Sequence, residues 1–140
     1  MLLHKFSHAK ELMRVAKNMD IKINILTGNE AKEYIFFILK KYNPWKTEGH
    51  LSISDNVDRL STDDKEYSFS LSMKNAPAFI FFEQNHINKN NVIVVESAKE
   101  ISTLMENSYG MEYFISDKYG TYLIAVNWYS IEFIGDILLS

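Results

Sequence analysis

The sequence predicts an α+β fold: an antiparallel or mixed sheet of about five or six strands, with about three helices packed on it. Three observations lead there. Short apolar runs of strand type recur at 21–26, 78–83, 92–95, 113–117, 121–127 and 131–134. Stretches with helical period lie at 3–18, 30–42 and 98–107. The connections between neighbouring strands are polar and short, so 92–95 pairs antiparallel with the strand before it, and 113–127 reads as a hairpin.

The composition bounds the classes of function. At 140 residues the chain fits one domain, and with two prolines and five glycines no linker divides it. An apolar fraction of 46% suits a packed core. With no cysteine, disulfides, thiolate metal sites and a cysteine nucleophile are excluded, and a cytoplasmic location fits. The N-terminal stretch lacks the unbroken apolar segment of a signal peptide, and no run is long enough to cross a bilayer, so no membrane partner is expected. The net charge of -3 is unevenly spread. Residues 1–46 carry nine Lys/Arg against four Asp/Glu, while 47–140 carry six against fourteen. The overall acidity argues against direct nucleic-acid binding, which needs excess cations.

The elements follow in order. In 3–18, Leu2, Phe6, Ala9, Leu12, Met13 and Ala16 form an apolar stripe. His4 and His8 share a helical face at a spacing that suits a metal, but only Glu11 stands near as a third ligand, and no metal or other cofactor is expected. Ile21, Ile23 and Ile25 alternate with polar residues as in a half-buried strand. Asn29 is placed to cap the helix 30–42, whose buried face is Ile35, Phe36, Ile38 and Leu39; Asn43-Pro44 ends it. Residues 67–74 alternate apolar with polar, which fits a strand or a short helix begun at 61–64. Ser97 and Glu100 form a capping box for 98–107. The stretch 112–135 is the most apolar and aromatic and should lie at the centre of the sheet, turning at Gly120, with Leu123, Ala125 and Asn127 on one face and Ile124, Val126 and Trp128 on the other.

Catalytic motifs are missing. There is no Gly-x-Ser-x-Gly, no Gly-rich phosphate loop and no calcium-loop order of carboxylates, and His50 and His86 sit in polar stretches as loop residues. The chain is therefore expected not to be an enzyme. What stands out is an acidic segment, with Glu48, Asp55, Asp58, Asp63, Asp64 and Glu66 against Arg59 and Lys65 alone. A solvated loop explains it without function; a face for a cationic partner explains it with one. Trp45, Tyr67 and His50 are candidate anchors beside it.

Residues 97–136 contain Glu106-Asn107-Ser108-Tyr109-Gly110, then Met111-Glu112-Tyr113-Phe114-Ile115-Ser116-Asp117, Tyr122-Leu123-Ile124 and Asn127-Trp128-Tyr129 running to Gly135. Here the chain resembles bacterial α+β immunity proteins of polymorphic toxin systems, including contact-dependent growth inhibition. The resemblance implies a non-enzymatic, stoichiometric inhibitor that binds the toxin C-terminal domain of its own system, often a nuclease. A basic nuclease would be met by an acidic face. Two other readings make different demands. A small enzyme or ligand carrier requires a concave pocket with converging polar groups. A subunit whose partner is itself requires an exposed apolar edge strand or patch.

Overall fold

A computed structural model of the chain describes residues 7–140. The predicted histidine pair includes His4, and the predicted N-terminal stripe includes Leu2 and Phe6; these three lie outside the described residues. The architecture is α+β. All seven strands belong to one antiparallel sheet, more than the five or six expected, in the order β1-β4-β3-β5-β6-β7-β2. In chain order the elements are α1 (His8–Met19), β1 (Ile23–Leu26), α2 (Gly28–Tyr42), β2 (Asp58–Ser61), α3 (Thr62–Lys65), a 3₁₀ turn (Phe69–Ser72), β3 (Ala78–Phe81), β4 (Val92–Val95), α4 (Ile101–Glu106), β5 (Tyr113–Ser116), β6 (Tyr122–Val126) and β7 (Ser130–Gly135).

The sheet separates two cores, as the alternation in 121–127 requires. Ile124 and Val126 join Ile80, Ile93, Tyr113 and Ile115 beneath α1, α4 and the 3₁₀ turn. Leu123 and Ala125 join Phe81, Val92 and Phe114 beneath α2 and the segment 51–57. The stretch 112–135 does occupy the middle of the sheet: β5 is the central strand, and β5 and β6 are buried on both faces.

Several local expectations yield to tertiary contacts. In α1 the buried stripe is Ala9, Leu12, Val15 and Ala16, and Met13 faces outward at 41% exposure. Helix α2 starts at Gly28 after Thr27, so Asn29 lies inside it; Phe36, expected in the core, is 65% exposed because Ala31, Tyr34, Ile35 and Ile38 form the covered face. The 67–74 alternation resolves as the helical alternative. Of its apolar residues only Phe69 and Met73 are buried, four apart, which suits a helical turn, and Tyr67 and Leu71 stay exposed. Ser97 makes no side-chain cap. The cap of α4 comes from another part of the chain: Ser102 N–H donates to Ser70 Oγ at 2.9 Å, and Ser70 N–H donates to Ser102 Oγ at 3.2 Å. Strand β2 lies within the acidic segment and has no apolar alternation to announce it; only Leu60 is half-buried.

The segment 50–54 carries Leu51 and Ile53 into the second core, at 0% and 3% exposure. Its backbone is held by two carboxylates that themselves lie in the most apolar stretch. Leu51 N–H donates to Glu112 Oε1 at 2.8 Å, and Ile53 N–H donates to Glu132 Oε1 at 2.7 Å. Ser52 Oγ donates to Glu132 as well, and Asn127 Nδ2 donates to Leu51 O at 2.8 Å. An irregular segment buried this deeply has no strand partner on this side, and acceptor side chains take that place. Glu132→Ala leaves a buried N–H unpaired and should cost about 3 kcal/mol in urea unfolding at unchanged m-value. A loss under about 1 kcal/mol would show that the segment finds other partners.

Candidate partner-binding face

The turn between β6 and β7 is the best-fixed exposed feature of the molecule. Asn127 Oδ1 accepts from the N–H groups of Tyr129 and Ser130, both at 2.8 Å, which closes the turn locally. Trp128 N–H donates to Glu112 Oε2 at 3.1 Å. From the other side Thr62 N–H reaches Tyr129 O at 3.3 Å, and Thr62 Oγ1 donates to Asn127 O at 2.8 Å. With its backbone held on both sides, the turn presents Trp128 at 45% and Tyr129 at 73% exposure. Gly110 gives the indole room: a Cβ there would stand 3.2 Å from Trp128 Cη2.

His50 completes the aromatic group. Its Nδ1 lies 2.8 Å from Glu112 Oε2, and its ring packs edge-on against Tyr129 with centroids 5.3 Å apart. Glu112 therefore positions His50, Leu51 and Trp128 at once. His50 and His86 are both loop residues, as the sequence suggested, but His50 is tied to Glu112 while His86 is exposed.

The acidic residues continue from this turn. Thr62, buried against Asn127, opens α3, and Asp63 and Asp64 follow it on the surface. Glu66 is half-buried and bonds to the Tyr67 hydroxyl; Tyr67 is 47% exposed. Burial, reinforced by Asp63, holds the Glu66 carboxyl above the usual carboxylate range against the pull of that bond. Burial and the neighbouring Glu66 raise the Tyr67 phenol. Beneath them the Tyr113 hydroxyl is fully buried and has no hydrogen-bond partner among the described residues.

Of the residues singled out from sequence, Asp63, Asp64, Glu66 and Tyr67 follow directly in the chain after Thr62, the residue bonded to the Trp128–Tyr129 turn. Asp58, on β2, and Asp55, just before it, are exposed further along the same segment. Glu48 is exposed two residues from His50. Trp45 is 63% exposed but stands elsewhere in the chain, just past the C-cap Asn43 of α2, with its N–H on Ile53 O. Arg59 lies back against the segment before it, bonding to Ser54 O at 3.0 Å, with Glu132 3.9 Å away.

Trp128 and Tyr129 are the residues sequence reasoning missed. They continue the apolar run of 121–127, although Asn127 and Ser130 flank them as turn residues. A glutamate inside each of two buried strand regions was the other available signal. A second exposed group lies on α2, where Phe36, Phe37 and nearby Tyr119 stand among lysines, with Lys40 Nζ 5.7 Å from the Phe36 ring centroid. Among the described residues no group of three or more His, Asp or Glu could hold a metal ion.

Because the folded Glu66 carboxyl titrates above 4.5, its charge costs stability at neutral pH, and that cost vanishes as pH falls through the raised pKa to below 4.5, where both states are protonated. Glu66→Gln should raise Tm at pH 7, and the gap from wild type should close toward pH 4. A gap that is constant with pH would mean the effect is not electrostatic.

No protein-family model matches the chain, and no curated protein is significantly similar to it in sequence, so the functional reading rests on this geometry and on the resemblance in 97–136.

Proposed function

We propose that the protein is an immunity protein that neutralises a cognate toxin domain by direct one-to-one contact. The partner is a basic domain, a nuclease in the first instance, and the contact is made in the cytoplasm without catalysis by this chain. The observation that carries the reading is the juxtaposition of rigid, exposed aromatics with a run of exposed carboxylates. Interfaces draw most of their affinity from a few aromatic anchors, and complementary charge speeds encounter and selects the partner. Tyr129 and Trp128 are suited to the first role because their turn is already ordered, so little entropy is lost on binding. Asp63, Asp64, Glu66 and, further along, Asp55 and Asp58 are suited to the second.

The ligand-carrier reading is favoured by one cavity of about 310 Å³, lined by Met73, Ala98, Asp117, Tyr122 and Ile137. It is at the lower end of the range for ligand pockets. Asp117 is already occupied by the Thr121 hydroxyl and the N–H groups of Tyr119 and Thr121, which leaves that cavity few free polar groups from this residue.

Co-purification with the toxin domain encoded beside it, then calorimetry at low and high salt, tests the reading. A tight one-to-one complex weakened by salt is expected. Changing Asp63 and Asp64 together to Lys should weaken binding by about tenfold or more and flatten the salt dependence. Tyr129→Ala should cost about 2 kcal/mol of binding while leaving Tm unchanged, since the ring is exposed. A complex indifferent to all three substitutions would move the interface elsewhere, and the absence of any complex would sink the immunity reading.

A further inference from the structure

The two ends of the sheet are finished differently. The last strand on one side, β2, carries Asp58 and Arg59, and Arg59 folds over the adjoining segment through Ser54 O and Asp55 O. Charge and cover of this kind block addition of a further strand. The last strand on the other side, β1, reads Ile-Asn-Ile-Leu, with no charge from Ile23 to Leu26. Among the described residues it pairs only with β4.

The phase of the free edge is set by the paired one. Glu96 N–H donates to Lys22 O, and Lys22 sits opposite Glu96 by continuation of the Ile23–Val95 register. Antiparallel pairing alternates, so Lys22, Asn24 and Leu26 turn their backbone groups to β4, and Ile23 and Ile25 turn theirs outward. The side chains of Ile23 and Ile25 point to the α1 side and are only half-buried. They form one wall of an open groove of about 610 Å³, faced by Met13, Ala16 and Lys17 of α1.

We propose that β1 pairs antiparallel with β1 of a second copy of this chain, about a two-fold axis at Asn24. The occupant follows from self-complementarity. With the axis at Asn24, Ile23 of each copy faces Ile25 of the other, and every outward N–H and C=O of both isoleucines is paired. Those β-branched pairs lie on the groove side, where cross-strand contacts of this type stabilise a sheet. Lys22 falls opposite Leu26 of the second copy, not opposite another lysine, and keeps Glu96 beside it on its own sheet. Moving the axis one residue toward Lys22 sets Ile25 opposite Ile21 of the second copy, whose N–H is already bonded to Ala16 O, and moving it further brings the two lysines together. An isologous contact closes on itself, so it yields a dimer and not a fibre. The dimer leaves the acidic strand β2 at the opposite end of each sheet, about 29 Å from β1 at the usual strand spacing, and the Trp128–Tyr129 turn, between β6 and β7, about 19–24 Å from it.

The test is the mass of the full chain in solution, by light scattering over a wide concentration range, together with amide exchange. A species of twice 16.3 kDa is expected, with the Ile23 and Ile25 amides gaining protection as it forms. Asn24→Lys sets two like charges at the axis and alters only an exposed side chain; it should weaken self-association by about tenfold or more at unchanged Tm. Ile25→Pro removes an outward N–H and should abolish the dimer, with folding checked by circular dichroism. A wild-type chain that stays monomeric overturns the proposal. So does a dimer that ignores Asn24→Lys or leaves those amides unprotected. Protection of those amides only when the toxin domain is added would assign the edge to a foreign strand and also overturns it.

Discussion

The arrangement depends on two buried carboxylates that accept hydrogen bonds from main-chain N–H groups. Glu112 and Glu132 are 7% and 4% exposed, and each serves several donors from the segment 50–54 and its neighbours. A buried charge is tolerated only when its lone pairs are filled, and here amides, hydroxyl and imidazole fill them. In exchange the segment can bury Leu51 and Ile53 without a strand partner. The second core is thereby completed on the side of the sheet where α2 alone would not cover it.

The same carboxylates connect packing to the proposed partner-binding surface. Glu112 orders Trp128 and His50, and His50 packs on Tyr129. Thr62 ties the turn to the start of α3, and from there the acidic residues run outward. The aromatics stand on a backbone held by Asn127, Glu112 and Thr62, and the carboxylates Asp63 and Asp64 stand exposed beside it. That division suits an interface in which anchors need pre-organisation and steering charges do not. The strand edge at β1 lies at the other end of the sheet, so self-association and partner binding need not compete for surface.

Much of the fold could be read from the residues. Alternation in 121–127 assigned both faces of β6 correctly, and the runs at 78–83 and 92–95 paired as expected. The site was legible only in part. The carboxylates of 55–66 were visible as composition, but Trp128 and Tyr129 looked like strand residues because they continue an apolar run. Phe36 misled in the opposite sense: it fits a helical stripe by spacing, yet the sheet beneath α2 covers a face one residue over.

What the chain determined by itself is the periodicity and hence the class: which stretches alternate, which repeat at helical spacing, and where Gly120 supplies the positive φ of a turn. Those properties are local, set by backbone geometry and by burial of one face. What only the tertiary structure decided is the pairing of distant polar groups: Glu112 with His50, Glu132 with Ile53, Ser70 with Ser102. These bonds join residues 62, 79 and 32 positions apart, and no local preference encodes them. They arise because burying the apolar residues around them leaves those donors and acceptors no water to bond, and each must find the other.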